Sequence, residues 1–257
     1  MSRLLRDVAA SLDTPAALAP HIDALFAPLT SLGGFPRKTA ALLEKAGLRR
    51  NARILELACG KGTTAVELAR RFNARVLALD AYEPFLEHAR DLAARRGVAH
   101  LCTFRLADVH NDRDLPRTAR FDAAVMIGLD ALETAAPLLR RFVRKTSGLY
   151  LIDDAIREDT PATARAFPLI PTRDDAARFI EDELGDHIVA TWLPTPAATR
   201  RLNASLYEPL ARRVRELRRA HPNLSKPLAD FLARQRRANR ILSGPVRPAI
   251  WVVRRAH

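Results

Sequence analysis

Short apolar runs alternate with segments whose apolar residues recur at helical spacing through most of the chain. Apolar runs of about four to eight residues are typical of buried strands, and i, i+3, i+4 spacing is typical of helices. The alternation predicts an α/β fold with a mostly parallel sheet. We expect seven strands: 54–57, Val76–Asp80, Leu101–Asp108, Phe121–Gly128, Leu149–Asp153, His187–Leu193 and Ala249–Val253.

Helical segments precede the first strand and separate the last two strands. The segment 199–242 has leucine and valine at helical spacing on one side and arginine on the other, which predicts an inserted helical pair. Three prolines between Thr160 and Thr172 predict a loop there. The remaining predicted helices are 4–12, 16–29, 36–46, 83–94, 131–145 and 174–184.

The turn between the first strand and its helix contains two glycines, Gly60 and Gly62, and follows the acidic residue Glu56. Residues 60–65 fit the dinucleotide-binding pattern G-x-G-x-x-A, and Asp80 lies at a suitable distance to bind a ribose. A NAD-dependent oxidoreductase is therefore one interpretation. A carboxylate beside the turn repels a pyrophosphate but attracts a cation, so Glu56 favours a cofactor with a positively charged end.

The segment 56–62, Glu-Leu-Ala-Cys-Gly-Lys-Gly, resembles the first motif of class I S-adenosylmethionine-dependent methyltransferases, acidic-x-Gly-x-Gly-x-Gly. Ala58 replaces the first glycine of that motif. The resemblance implies a methyltransferase domain over residues 47–257 with a mostly parallel, seven-stranded Rossmann-like sheet. It also implies that the insertion at about 199–242 separates the last two strands and that the seventh strand is antiparallel at the sheet edge. Residues 1–46 are then either a lid over the site or an ordinary cap on the sheet.

Three acids, Glu56, Asp80 and Asp108, close three successive predicted strands. Ligands bind at the carboxyl edge of open α/β sheets, so we expect the three carboxylates to converge on one crevice. In the family that the chain resembles, these positions hold the amino acid end, the ribose and the adenine of S-adenosylmethionine. The cofactor-binding residues implied are Glu56, Ala58, Cys59, Gly60, Gly62, Asp80, Ala81, Tyr82, Ala107, Asp108, Val109 and Ile127.

Acid–base chemistry at the acceptor has three candidates, Asp153, Asp154 and His110. Two neighbouring carboxylates can raise one another's pKa and produce a base. Alternatively, one aspartate caps a turn while the other is solvated, and His110 is a surface loop residue. Leu129 and Tyr207 are candidate substrate contacts, although Tyr207 also fits a helix–helix seam. An Asn/Asp-Pro-Pro-aromatic motif, typical of amino-group methylation on nucleic acid, is absent after the fourth strand.

The formal net charge is +13 over 257 residues, and only five of the 42 basic residues are lysine. This arginine bias is typical of a GC-rich genome and weakens the evidence for nucleic-acid binding. We therefore expect methylation of O, N or C on a small molecule, with an RNA methyltransferase or a non-catalytic cofactor-binding protein as alternatives. Two cysteines and no long apolar run predict a reduced cytoplasmic protein with no metal site and no membrane span.

Overall fold

The computed structural model describes residues 2–117 and 121–257. The strands are β1 (Arg53–Leu57), β2 (Arg75–Asp80), β3 (Cys102–Leu106), β4 (Ala123–Ile127), β5 (Leu149–Arg157), β6 (His187–Trp192) and β7 (Val246–Arg254). The α-helices are α1 (Arg3–Ser11), α2 (Ile22–Phe26), α3 (Pro36–Lys45), α4 (Thr63–Phe72), α5 (Glu83–Arg95), α6 (Leu132–Arg140), α7 (Pro161–Ala166), α8 (Arg173–Arg178), α9 (Pro196–Ala220) and α10 (Ser225–Leu242).

The seven strands of the described residues form one sheet in the order β3-β2-β1-β4-β5-β7-β6. The chain moves outward from β1 through β2 to β3, and then returns to the other side of β1 for β4 and β5. Neighbouring strands from β3 to β5 are all parallel. The gap between the loops that follow β1 and β4 is therefore the topological switch point, where ligands bind in such sheets.

The α/β class and the seven-stranded sheet are confirmed, but the sheet is mixed. β7 pairs antiparallel with both β5 and β6. The expectation that the seventh strand lies at the edge was wrong, because β7 fills the position between β5 and β6 and leaves β6 outermost. Pairing with β7 also extends β5 to Arg157, four residues beyond its last partner on β4.

Several predicted boundaries differ from the structure. Strand β3 ends at Leu106, so Asp108 lies in the loop beyond it, and β4 begins at Ala123 rather than Phe121. The expected loop 160–172 contains α7, because Pro161 occupies its first turn and the Thr160 hydroxyl accepts a hydrogen bond from the N–H of Thr163. The segment 16–29 is a 3₁₀-helix (Ala16–His21) followed by the short helix α2.

Buried apolar side chains of the described residues form three clusters. Two of them cover the two faces of the sheet, one beneath α3, α4 and α5 and the other beneath α6 and the helical segment 173–183. The third joins the N-terminal segment, through Ile22 and Phe26, to α9 and α10, through Val214 and Phe231. We call the assembly of residues 3–26 and 196–242 the cap. Its shared core means that the N-terminal helices and the insertion are one packing unit.

Of the described helices, none combines the length and apolar character required to cross a bilayer.

Candidate active site

The turn after β1 adopts a tight left-handed path. Ala58, Gly60 and Gly62 all have positive φ, at 54°, 52° and 72°. A Cβ on Gly62 would lie 2.6 Å from the Cβ of Ala89 on α5, so glycine there permits α4 and α5 to approach closely. Ala58 holds the same left-handed conformation with a Cβ, at a cost of about 1–2 kcal/mol.

Asp80, at the end of β2, is hydrogen-bonded to this turn. Its Oδ2 accepts from the N–H of Gly60 at 2.7 Å, and its Oδ1 accepts from the N–H of Tyr82 at 3.0 Å. Burial raises the pKa of Asp80, although these backbone donors oppose the shift. Each carboxylate oxygen has a further lone-pair site, so Asp80 can hold the turn and still accept bonds from a ligand.

Glu56 is a buried carboxylate with an unsatisfied oxygen. Its residue is 2% exposed, and its Oε2 has no hydrogen-bond partner among the described residues. Burial, and next the negative charge of Asp80, raise the pKa of Glu56 to about 8. A buried acceptor without a donor is costly, so this position is suited to a ligand that brings an ammonium group.

Asp108 completes the predicted trio. The N–H of Asp108 donates to Asp114 at 3.1 Å, and the Oδ1 of Asp108 accepts from the N–H of His110 at 2.9 Å, which orders the loop after β3. Glu56, Asp80 and Asp108 all line a single cavity of about 630 Å³ at the carboxyl edge of the parallel strands. Ligand pockets for small molecules are typically about 300–1,000 Å³.

Asp153 and Asp154 lie within β5 rather than at its end, which corrects the sequence-based expectation. They nevertheless line the cavity, because the parallel partner β4 ends at Ile127, opposite Asp153. Asp154 Oδ2 accepts from the N–H of Leu132 at 2.8 Å, at the beginning of α6. Asp153 is 8% exposed, and burial and the neighbouring charge of Asp154 raise its pKa to about 7. Asp154 therefore caps α6, as one alternative predicted, whereas Asp153 is buried rather than solvated.

His110 and Asp130 form a pair on the cavity wall. The Nε2 of His110 lies 3.0 Å from Asp130 Oδ2, and its Nδ1 lies 3.7 Å from Asp108 Oδ1. The imidazole is more than half exposed. The pairing of His110 with Asp130 therefore links the loop after β3 to the loop after β4 at the edge of the cavity.

Most of the predicted site residues are brought together by the fold. The cavity lining includes Glu56, Ala58, Cys59, Gly60, Asp80, Ala81, Ala107, Asp108, Val109, His110, Ile127, Leu129, Asp153 and Asp154. Gly62, Tyr82 and Tyr207 lie outside it. Tyr82 packs edge to face on Phe85, with ring centroids 4.8 Å apart, and Tyr207 is half-buried on α9.

The segment 31–35, which crosses the glycine turn, was not predicted from the sequence as part of the site. A Cβ on Gly60 would lie 2.9 Å from Leu32 Cδ1, and a Cβ on Gly34 would lie 2.8 Å from Ile127 Cγ2. The Oγ of Ser31 lies 3.2 Å from the Oγ1 of Thr63. The consecutive glycines at 33 and 34, which resemble a simple helix break, are the feature that could have pointed to this close approach.

Lys61 was also missed as a structural residue. Its residue is 4% exposed, and its Nζ donates to the carbonyl oxygens of Phe26 at 2.8 Å and Leu29 at 2.7 Å. Burial lowers the pKa of Lys61, and the charge of Asp23 opposes that shift. The middle residue of the glycine turn therefore binds the N-terminal segment of the protein.

Residues 2–117 and 121–257 contain no group of three or more His, Cys, Asp or Glu side chains placed to bind a metal ion. The ligand-binding features that the structure does present are the left-handed glycine turn, carboxylates at successive strand ends and a cavity at the switch point. Together these features are typical of an α/β site for a nucleotide-type cofactor, and the unpaired carboxyl oxygen of Glu56 suits a cofactor with a cationic end.

Comparison with known proteins shows which domain and fold these features resemble. Residues 54–147 match a family model described as a methyltransferase domain. No curated protein matches the chain. Among solved structures, a S-adenosylmethionine-dependent methyltransferase from Geobacter sulfurreducens, in complex with S-adenosyl-L-homocysteine, is 19% identical, with a TM-score of 0.70. The match covers 85% of this chain and 89% of that one.

Two further structures show the same fold. A S-adenosylmethionine-dependent methyltransferase from Thiobacillus denitrificans, also in complex with S-adenosyl-L-homocysteine, is 18% identical, with a TM-score of 0.74 and coverage of 91% and 97%. YjhP from E. coli is 17% identical, with a TM-score of 0.74 and coverage of 91% and 100%. The resemblance of this chain to class I S-adenosylmethionine-dependent methyltransferases is confirmed by the family model over residues 54–147 and by the fold over most of the chain. It favours the methyltransferase interpretation of residues 60–65 over the dinucleotide interpretation.

Proposed function

We propose that the protein transfers the methyl group of S-adenosylmethionine to a small organic acceptor that binds beneath the cap. The observation that carries this proposal is the cavity of about 630 Å³. Its lining includes the glycine turn and the acids at or just after the ends of β1 to β3. It also includes Leu12, which follows α1, Leu202 of α9 and Leu242 of α10, apolar side chains of the cap that can enclose a small apolar molecule.

The cofactor residues have separate roles in this proposal. Glu56 accepts from the ammonium of the amino acid end, and the backbone of Cys59 and Gly60 lies against that end. Asp80 accepts from the ribose hydroxyls, and Asp108 accepts from the adenine amino group. The apolar walls of this part are Ala81, Ala107, Val109 and Ile127, all of which line the cavity. The cofactor supplies a methyl group already activated on a sulfonium.

The protein's chemical contribution at the acceptor is then positioning and proton acceptance. An aligned acceptor and methyl donor account for much of the rate of such a transfer. Asp153 is the best-placed base, because Asp154 is committed to the N–H of Leu132 and His110 to Asp130. Leu129 lines the cavity and is an apolar wall for the acceptor.

An RNA acceptor is supported by the exposed arginines of the insertion, among them Arg212, Arg215, Arg218 and Arg219. Within the cavity, however, the charged side chains are mostly acidic, which opposes the entry of a polynucleotide. We therefore favour the small-molecule acceptor. RNA affinity that falls steeply with salt, together with methylation of RNA, would instead support the RNA alternative.

The cytoplasmic location stays a prediction.

Calorimetry with S-adenosylhomocysteine tests the proposal directly. We expect binding by the wild type and a loss of about 10- to 100-fold in affinity for Asp80→Ala, since the charged acceptor of the ribose hydroxyls is removed. Asp91→Ala, a change of an exposed aspartate on α5, is the matched control. Unchanged binding by Asp80→Ala would remove the ribose assignment, and no binding by the wild type would remove the proposed function.

A further inference from the structure

The cavity and the protein surface carry opposite charge. The protein has a formal net charge of +13. The acidic lining of the cavity, in contrast, comprises Glu56, Asp80 and Asp108, which the proposed function assigns to the cofactor, and five further aspartates, Asp7, Asp13, Asp130, Asp153 and Asp154. The one lysine in the described lining, Lys61, directs its ammonium to the carbonyl oxygens of Phe26 and Leu29. The potential inside the cavity is therefore negative.

Four of the five aspartates already have partners. Asp7 and Asp13 lie 3.7 Å and 3.6 Å from Arg3 and Arg234. Asp130 pairs with His110, and Asp154 accepts from the N–H of Leu132.

Asp153 differs from the other four. Its side chain makes no hydrogen bond or ion pair within residues 2–117 and 121–257, although the residue is only 8% exposed. Its Oδ2 faces Gly34, 3.9 Å from where a Cβ on that glycine would lie, and both residues line the cavity. The carboxylate of Asp153 is therefore mostly buried and reaches solvent only through the cavity, where a ligand that brings a cation or a hydrogen-bond donor would supply the partner that the protein does not.

The rest of the cavity lining suits an apolar molecule with one polar nitrogen. Leu12, Leu129, Leu202, Leu206 and Leu242 supply apolar walls, and the uncharged polar groups that the insertion contributes are the hydroxyl of Thr199 and the amides of Asn203, Gln235 and Asn239. A carboxylate or phosphate acceptor would be repelled by the aspartates. A fully apolar acceptor would leave Asp153 unpaired.

We propose that the methyl acceptor is an amine with an apolar body, bound through its nitrogen by the Asp153 carboxylate. This inference rests on the proposed function and specifies its substrate class. The bound ammonium gives one proton to Asp153, which frees the nitrogen lone pair. That pair forms the N–CH₃ bond while the S–CH₃ bond breaks and its electron pair stays on sulfur, leaving a neutral thioether. Asp153 then releases its proton to solvent.

The raised pKa of Asp153, at about 7, supports this role because the carboxylate can gain and lose a proton near neutral pH. Asp154 is the neighbouring charge that adds to the effect of burial on that pKa.

The test uses the full-length protein saturated with S-adenosylhomocysteine and a panel of aralkyl amines, such as N-methylbenzylamine and larger homologues. Each amine is matched with the ether and the carboxylate of the same shape. We expect at least one amine to bind about tenfold or more tightly than both of its matched analogues. Amines across the panel that bind no better than the ethers would overturn the proposal.

Two variants separate the acceptor site from the cofactor site. Asp153→Asn is expected to weaken the binding of the best amine about 10- to 100-fold, and to raise the KM for that amine in methyl transfer from tritiated cofactor. Its affinity for S-adenosylhomocysteine should stay within about twofold of wild type. Asp182→Asn, the same change at an exposed position, is the control and should bind the amine as wild type does.

The outcomes are distinguishable from a failure of the proposed function. If the wild type does not bind S-adenosylhomocysteine, the proposed function fails. If it binds S-adenosylhomocysteine, but Asp153→Asn binds the amine as tightly as wild type, only the assignment of an amine acceptor to Asp153 fails.

Discussion

The ammonium of Lys61 donates a hydrogen bond of 2.7 Å to the carbonyl oxygen of Leu29, and so connects the glycine turn to the segment that leads into residues 31–35. Leu32 in that segment contacts Gly60. The chain between the cap and α3 is thus held over the cofactor turn by a residue of the turn itself. That residues 1–46 move as a lid stays a prediction, and Lys61 is the place to test it.

Lys61→Met keeps a long side chain but leaves the carbonyl oxygens of Phe26 and Leu29 without their donor. We expect the free energy of unfolding to fall by about 2–4 kcal/mol, because two bonds from a charged donor are lost. Hydrogen exchange should increase in residues 22–35, and affinity for S-adenosylhomocysteine should fall about tenfold. Lys45→Met, at an exposed lysine of α3, is the control. Wild-type exchange rates in residues 22–35 of Lys61→Met would contradict a role for Lys61 in holding this segment.

Ala58→Gly should stabilise the protein. Ala58 has a φ of 54°, and removal of its Cβ relieves left-handed strain, partly offset by the greater freedom of glycine in the unfolded chain. We expect a net gain of up to about 1 kcal/mol in the free energy of unfolding, measured with urea. Ala233→Gly, at an exposed position inside α10, should lower that free energy by about 1 kcal/mol. A loss for both variants would show that Ala58 is not strained.

Binding of S-adenosylmethionine should release a proton from Glu56. Burial raises the pKa of Glu56 to about 8, so the carboxyl is mostly protonated at pH 7 before a cation arrives. A bound ammonium favours the ionised form and lowers that pKa, which releases up to about one proton per site. Calorimetry in buffers with different ionisation enthalpies measures this release. Glu56→Gln should bind more weakly, and its binding heat should depend less on the buffer.

The raised pKa of Glu56 also makes the stability of the ligand-free protein depend on pH. Because the pKa of Glu56 in the folded state lies above its unfolded value of 4.5, the folded protein holds a proton that the unfolded chain loses. This contribution to stability is fully present below pH 4.5 and is lost as the pH rises through about 8. We expect Glu56→Gln to show a smaller fall in melting temperature between pH 6 and pH 9 than the wild type.

Among the buried charged residues away from the cavity, we expect Asp186 to be the one whose loss or protonation lowers stability most. It pairs with Arg140 at 2.7 Å and accepts from the hydroxyl of Tyr150 at 2.9 Å and the N–H of Ala256 at 3.0 Å. Burial tends to raise the pKa of Asp186, but these three donors outweigh burial and hold the pKa below its usual value. The stability from these bonds is therefore present above pH 3.8 and lost as the pH falls through the folded value.

Asp186→Ala leaves Arg140 without its partner, so the free energy of unfolding should fall by about 3–5 kcal/mol. Tyr150→Phe removes one hydrogen bond and should cost only about 1–2 kcal/mol. Urea unfolding measures both. Equal, small losses would show that the network contributes little.

The sequence was sufficient to predict those parts of the candidate site whose residues lie near each other along the chain or at the ends of successive parallel strands. Glu56, Asp80 and Asp108 were predicted to converge because parallel strands place their carboxyl ends at one edge, and the structure places all three in one cavity. The glycine turn was recognisable because positive φ restricts the residue types that fit without strain.

The sequence was insufficient where the outcome depends on long-range packing. Which of Asp153 and Asp154 stays unpaired depends on the bond between Asp154 and the N–H of Leu132, 22 residues earlier, which no local pattern encodes. The direction of the Lys61 side chain depends on carbonyl oxygens more than 30 residues earlier. Tyr207 was predicted to contact the substrate but lies outside the cavity. Helical periodicity shows that one side of α9 is apolar, but it does not show which turn of the helix faces the cavity.

The placement of β7 between β5 and β6 has a consequence for the order of events on the ribosome. β6 is synthesised more than fifty residues before β7. Among the described strands, however, β6 pairs with β7 alone. Until residues 246–254 emerge, β6 has no neighbour to join, and α9 and α10 have no finished sheet to close over. The nascent chain can assemble the cofactor turn early, but it completes the compartment for the acceptor only when this last strand is added to the sheet.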